Sequence, residues 1–149
     1  MKQTSRAPQT RWWLCMLKTP EGSPSALSQY TFWNGIIYLL LGGSLYLAPG
    51  LVRVVLFMSP FSGREEGYVR LLGVAVAIIG WFYVFGARTR AESFALATIA
   101  DRLALPALLL PLYITGQVEA GLILAFGVLD PLLALGAYLV WRKQSVAHI

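Results

Sequence analysis

The residues of this chain that could do chemistry include three charged side chains inside apolar segments. Asp101 and Arg102 interrupt one such segment, and Asp130 interrupts the next. Thr98 precedes Asp101 by three residues and Arg102 by four, so a helix places its hydroxyl on the same face as both charges. Two carboxyl groups beside one guanidinium can bind a ligand or handle a proton. These four residues are the candidates for a binding or proton-handling site.

Residue counts exclude several other kinds of site. The chain has one cysteine, Cys15, and one histidine, His148. A redox dithiol, a bis-histidine haem and a Cys/His zinc site each need more of these ligands. The carboxylate and histidine spacing of di-metal helix bundles is also missing from the sequence. We therefore predict no catalytic residue, no metal and no cofactor, and we favour a protein that is not an enzyme.

The composition is typical of a membrane protein. Of the 149 residues, 57% are hydrophobic and 13% are charged, whereas roughly 25% are charged in soluble domains. Four crossings of about 20 residues each would leave only short loops and a tail, with no room for a soluble catalytic domain. The net charge of +5 comes from basic residues beside apolar segments. Because these form no basic stripe with interleaved aromatic residues, we expect no nucleic-acid partner.

The apolar segments predict an all-α fold, an integral membrane four-helix transmembrane bundle. The transmembrane domain covers residues 29–143, and its crossings lie at about 30–48, 68–87, 94–115 and 120–141. A short apolar segment at 51–58 contains Arg53 and is predicted to lie at the interface or to re-enter partway.

The two ends of the chain are predicted to lie outside the bilayer core. Residues 1–28 form a polar, basic segment, and residues 144–149 form a tail. The apolar patch at 12–17 is too short to cross, so it predicts an interfacial segment. An organelle transit peptide is the alternative for this basic, acid-poor stretch.

The third crossing leaves two starting points open. Either its helix begins near Ser93 and carries Asp101 and Arg102 into the bilayer, or it begins at Asp101. We favour the earlier start, because residues 94–100 are mostly apolar and would gain free energy by burial.

The basic residues predict the orientation. With a cytoplasmic N terminus, eight lysines and arginines lie inside and two, Arg53 and Arg64, lie outside. The eight are Lys2, Arg6, Arg11, Lys18, Arg88, Arg90, Arg142 and Lys143. Both termini are therefore predicted to be cytoplasmic. A multi-pass protein of the plasma or inner membrane is favoured, and an organelle membrane is the alternative.

Small residues predict how the helices pack. The second crossing has a seam at heptad spacing, the fourth has a similar seam that includes Asp130, and the first carries Gly35 and Gly42 seven residues apart. The seam of the second crossing is Gly73, Ala77, Gly80, Val84 and Ala87. The aromatic residues assigned to interfacial belts are Tyr30, Trp33, Tyr68, Trp81, Tyr83, Tyr113 and Trp141.

Depth arithmetic predicts that the charges meet. At 1.5 Å per residue, Arg102 lies about 14 Å from the inner boundary and Asp130 about 17 Å from the outer one. Both positions are near the middle of a core about 30 Å thick, where an unpaired charge is costly. We therefore expect an Arg102–Asp130 ion pair. Two roles stay open for it: a structural pair that fixes helix packing, or a binding or proton-handling site.

The order of Arg70-x-x-Gly73, Ala87-Arg88, Asp101-Arg102 and a lone Asp130 resembles small bacterial four-helix membrane proteins of the DoxX-like kind. The resemblance covers residues 68–143, about half of the chain. It implies a four-helix membrane fold. Some members of these families are linked to quinol oxidation, which implies a quinone-linked redox subunit as one function to consider.

Three functions are carried forward. The favoured one is an accessory subunit, or a binder of a small apolar molecule, that uses the intramembrane charge cluster. The alternative is a proton-coupled transporter of small molecules, which with four helices would act as an oligomer. A membrane redox or quinone-linked subunit is less favoured, because the crossings contain no histidine or cysteine. The expected partners are the lipid bilayer, further copies of the chain or a larger membrane complex, and an apolar small molecule.

Overall fold

The computed structural model of the protein describes residues 21–147, and this part of the chain is helical without β-strands. The helices are α1 (Ala26–Leu47), α2 (Pro49–Val55), α3 (Glu65–Arg88), α4 (Glu92–Ile114) and α5 (Ala120–Leu122), then a π-helical turn (Ile123–Val128) and α6 (Leu129–Ala147). The patch predicted at 12–17, Cys15 and His148 lie outside the described residues.

Several of these helices have the length and composition of membrane spans. Glu65–Arg88, Glu92–Ile114 and Ala120–Val146 each qualify, and α1 with α2 qualifies as a pair. The described chain therefore has three helices that could cross a membrane, or four if the bent pair is one span. α3 begins ahead of the crossing predicted at 68, and Glu65 and Glu66 in its first turn favour that earlier start through the helix dipole.

Helices α1 and α3 pack backbone against backbone along the predicted glycine seam. A methyl group added to Gly80 would lie 2.6 Å from the backbone nitrogen of Leu39 and 2.8 Å from the carbonyl oxygen of Gly35. A methyl group on Gly42 would collide with the backbone of Ala77 and Gly73. The two helices are antiparallel, since Gly35 meets Gly80 whereas Gly42, later in α1, meets Gly73, earlier in α3. Only glycine permits this approach, so the seam predicted from the spacing is confirmed.

The second close pair is α4 with α6. Ala95 and Ile99 of α4 form a buried cluster with Ala134 and Ala137 of α6 and with Leu27 at the start of α1. This contact explains why α4 begins at Glu92 and not at Asp101: residues 94–100 contribute part of the core. Of the two predicted starts, the earlier one is present, and Asp101 and Arg102 lie in the middle of the helix.

Proline residues account for two irregularities. Pro49 has no N–H, so α1 ends at Leu47, and α2 continues at an angle of 114° with Pro49 in its first turn. Pro131 likewise cannot donate to the carbonyl of Gly127 four residues earlier, and the π-helical turn that precedes α6 includes Gly127. The sequence did not predict this turn, because a proline at this position is equally compatible with a simple kink in an α-helix.

Candidate functional site

A cavity of about 400 Å³ lies where α3, α4 and the C-terminal helices face one another. Its volume is within the range of small-molecule binding pockets, which is roughly 300–1,000 Å³. It exists because α3 packs mainly on α1 and α4 mainly on α6, which leaves α3 and α4 apart. The apolar part of its lining includes Leu72, Ile79, Leu105, Leu109, Leu122 and Phe126.

The polar part of the cavity is a cluster of five side chains from four helices. Asp101 and Arg102 come from α4, Asp130 from α6, Tyr38 from α1 and Tyr83 from α3. We call these five residues the polar cluster. Three of the four predicted site residues, Asp101, Arg102 and Asp130, are therefore brought to one cavity.

Arg102 is the most unusual member of the polar cluster. It is buried, with 2% of its surface exposed. Its guanidinium carbon lies 4.6 Å from the ring centroid of Tyr83 and 5.2 Å from that of Tyr38, which is cation–π distance. Its Nε donates to the Tyr83 hydroxyl at 3.3 Å. Nη1 and Nη2 have no hydrogen-bond partner among the described residues.

The two carboxyl groups are bonded to tyrosines and not to the arginine. The Tyr38 hydroxyl donates to Asp130, which is 6% exposed. The Tyr83 hydroxyl donates to Asp101 at 3.4 Å. Asp101 itself is exposed at the edge of the cavity. Each carboxyl group of the cluster thus has a neutral hydrogen-bond donor.

The predicted Arg102–Asp130 ion pair is wrong, because these two side chains do not form an ion pair in the structure. Within the part of the chain that the structure describes, the ion pair within 4.0 Å is that of Arg70 with Glu66, at 2.8 Å. Depth arithmetic set Arg102 and Asp130 at similar levels, and the structure does bring both to the cavity. However, the Tyr38 side chain bonds Asp130 and also packs its ring on the guanidinium, so it takes the place of a direct contact.

Thr98 does not belong to the cluster. It is buried at 5% exposure, and its hydroxyl donates to the carbonyl of Ala95 at 2.8 Å, one turn earlier in the same helix. It is not part of the cavity lining. A buried threonine in a helix commonly satisfies its hydroxyl in this way, so Thr98 has a local role.

Tyr38 and Tyr83 were missed as site residues. Tyr83 was assigned to an interfacial belt, yet it is 4% exposed and stacks edge to face with Tyr38 at 5.3 Å between ring centroids. A signal was present: Tyr38 lies three residues after Gly35, and Tyr83 lies three residues after Gly80. Both tyrosines therefore continue the stripes that the glycine seam occupies.

The described residues contain no group of three or more histidine, cysteine, aspartate or glutamate side chains that could hold a metal ion. The cavity presents the Asp101 carboxyl and apolar walls to a bound molecule, and Nη1 and Nη2 of Arg102 are buried in its lining without a partner among the described residues. No protein-family model, curated protein or solved structure matches the chain. The resemblance to DoxX-like families stays a prediction.

Proposed function

We propose that this chain is a multi-pass membrane protein that binds a small, mainly apolar molecule in the cavity of the polar cluster. Support for the membrane comes from the apolar helices and from their outer faces. Large hydrophobic side chains are exposed along each long helix, for example Leu40 of α1 at 67%, Leu71 of α3 at 66% and Leu108 of α4 at 67%. Faces of this kind suit a lipid solvent.

The proposed arrangement is a four-helix transmembrane bundle with both termini in the cytoplasm. Arg88, Arg142 and Lys143 lie at one end of the bundle, where the indole nitrogen of Trp141 donates to Glu92 at 3.1 Å. We call this the basic end. At the opposite end, the backbone N–H of Ser59 donates to Glu119 at 2.9 Å. The excess of arginine and lysine supports a cytoplasmic basic end, and the membrane we propose is the plasma or inner membrane.

One observation carries the binding role: the Arg102 guanidinium has two unpartnered nitrogens beside a mostly apolar cavity. Nearly all buried polar groups in proteins are hydrogen-bonded, so a buried group without a partner calls for an explanation. Buried arginines are usually paired with a carboxylate, and Arg102 has none at ion-pair distance among the described residues. A molecule with an apolar body and a polar head fills the cavity and satisfies the nitrogens. An accessory subunit of a larger membrane complex, or a homo-oligomer, is compatible with this role.

A proton-coupled transporter is the second candidate. The observation that favours it is that Asp101 and Asp130 share one cavity and that each accepts a hydrogen bond from a tyrosine hydroxyl. Intramembrane carboxyl groups of this kind can pass a proton. Proteoliposomes separate the two roles: a transporter acidifies or alkalinises the lumen when substrate is added, and a binding protein does not.

The binding role is tested by filling the cavity. Ala75 lines the cavity, whereas Ala100 is exposed on α4 and does not. Wild type, Ala75→Phe and the matched control Ala100→Phe are purified in lipid nanodiscs, and small molecules that remain bound are identified by mass spectrometry. A molecule retained by wild type and Ala100→Phe but lost from Ala75→Phe supports the role. Equal contents in all three contradict it.

A further inference from the structure

We propose that the molecule in the cavity is a single-chain amphiphile with a carboxylate head, which lies on Nη1 and Nη2 of Arg102. This inference rests on the proposed binding role and names the chemical class of the ligand. Its apolar chain runs from the polar cluster toward the end opposite the basic end, between Leu105 and Leu109 of α4 and Leu122.

The carboxylate head group is inferred from the unpartnered donors of Arg102. A guanidinium presents its N–H groups in a planar fork, which matches the two oxygens of a carboxylate. In Arg102 the Nε edge is occupied by the Tyr83 hydroxyl, while Nη1 and Nη2 are buried and unpartnered. The side chain always carries its positive charge, so the missing partner is an acceptor, and an anionic one is best.

A cationic head fits the same cluster less well. Aromatic rings attract cations, but the faces of Tyr38 and Tyr83 already lie against the Arg102 guanidinium. The Asp130 carboxyl is already bonded to Tyr38. A ligand cation would also meet the arginine charge at short range, which costs energy in a site of low polarity.

Charge balance is met if the ligand enters as the neutral carboxylic acid. Its proton passes to the exposed Asp101 carboxylate, and the ligand becomes the carboxylate that Arg102 binds. No net charge enters the bundle in this step. Asp101 suits the role because its bond from the Tyr83 hydroxyl is long, at 3.4 Å, and because it lies at the cavity edge.

The size of the ligand follows from the cavity. From Arg102 to Leu109 is seven residues of helix, about 10 Å. This length and the volume of about 400 Å³ suit one chain of medium length. The head lies deep and the chain points outward, which is opposite to a bilayer lipid whose head stays at the surface. The ligand is therefore a small amphiphile and not a bulk lipid.

The experiment compares three probes of one chain length: decanoate, decanol and decyltrimethylammonium. Binding of each labelled probe is measured with the protein in nanodiscs of phosphatidylcholine, and empty nanodiscs are subtracted. The variants are Arg102→Met, Arg102→Lys and Ala75→Phe. Arg70→Met is the matched control, because the Arg70 side chain is 41% exposed and is paired with Glu66 outside the cavity.

We expect wild type and Arg70→Met to bind decanoate at least tenfold more tightly than decanol. Arg102→Met should lose this preference, and Arg102→Lys should keep only part of it, since lysine keeps the charge without the fork. Should Arg102→Met fail to fold, the comparison of three probes on wild type still decides the question.

The other outcomes separate the two proposals. Equal binding of decanoate and decanol, lost in Ala75→Phe, overturns the carboxylate head and leaves the binding role standing. Tighter binding of decyltrimethylammonium overturns the carboxylate head in favour of a cation. If no probe binds above empty nanodiscs, the binding role itself is overturned.

Discussion

At the scale of single residues, Arg102 is expected to serve a ligand more than the stability of the fold. Burial of its unpartnered donors costs at least about 1–3 kcal/mol, because the group is charged, and its ring contacts contribute about 0.5–2 kcal/mol of stabilisation. We therefore expect Arg102→Met, without added amphiphile, to change the free energy of unfolding by less than about 1 kcal/mol or to raise it. Equilibrium unfolding in mixed micelles measures this, with Arg70→Met as the exposed control.

A loss of more than about 3 kcal/mol in Arg102→Met would contradict that expectation, because a loss of this size is typical of a broken buried pair. It would mean that the guanidinium has a structural partner in the folded chain. The binding role would then need another hydrogen-bond donor for the polar head of the ligand.

Tyr38 is expected to matter for stability, since it supplies the hydrogen bond to the buried Asp130 carboxyl. Tyr38→Phe leaves that carboxyl without its donor, which should lower the free energy of unfolding by about 1–3 kcal/mol. Tyr46→Phe on the same helix is the matched control, because Tyr46 is 49% exposed. Similar losses in the two variants would show that the Tyr38 hydroxyl contributes little beyond its ring.

At the scale of elements, the α1–α3 seam can be tested with two neighbouring glycines. A methyl group on Gly42 meets the backbone of α3, whereas one on Gly43 has nothing within 4 Å. Overpacking should make Gly42→Ala less stable by about 1–3 kcal/mol, and Gly43→Ala should be neutral or gain up to about 1 kcal/mol in helix propensity. Thermal unfolding in one detergent compares them. Equal melting temperatures would show that the two backbones can separate at no cost.

Element positions could be predicted from the sequence where apolar runs and charges define them. The earlier start of α4 followed from the apolar residues 94–100, and the seam followed from glycine spacing. The break between α1 and α2 also followed, since the short apolar segment at 51–58 was predicted as separate from the first crossing. The 114° angle of α2 and the π-helical turn did not follow, because each depends on how a proline is accommodated by its neighbours.

The site could be predicted only in part for a related reason. Helix rise gives the depth of a side chain, so the levels of Arg102 and Asp130 were accessible from the sequence. Their contact also depends on the rotation of each helix and on what lies between them. Tyr38 and Tyr83 come from helices whose rotation the glycine seam sets, and a tyrosine hydroxyl can donate to a carboxyl group in place of an arginine.

At the scale of the whole molecule, the orientation can be tested by labelling single cysteines. Arg90 donates to the carbonyls of Glu21 and Gly22, so the start of α1 lies at the basic end beside the α3–α4 turn. Ser62 lies in the loop between α2 and α3, and Ser145 lies near the end of α6. In a Cys15→Ser background, Ser23→Cys, Ser62→Cys and Ser145→Cys each place one thiol at an exposed position.

With both termini in the cytoplasm, a maleimide that cannot cross membranes should label only Ser62→Cys in intact cells. Ser23→Cys and Ser145→Cys should react after permeabilisation, because four crossings return the chain to the side where it began. Labelling of Ser23→Cys together with Ser62→Cys in intact cells would mean that α1 and α2 do not cross as one span. The bundle would then have three crossings, and α1 would have to leave α3, against the glycine contacts between them. The labelling pattern thus tests the orientation and the α1–α3 pairing together.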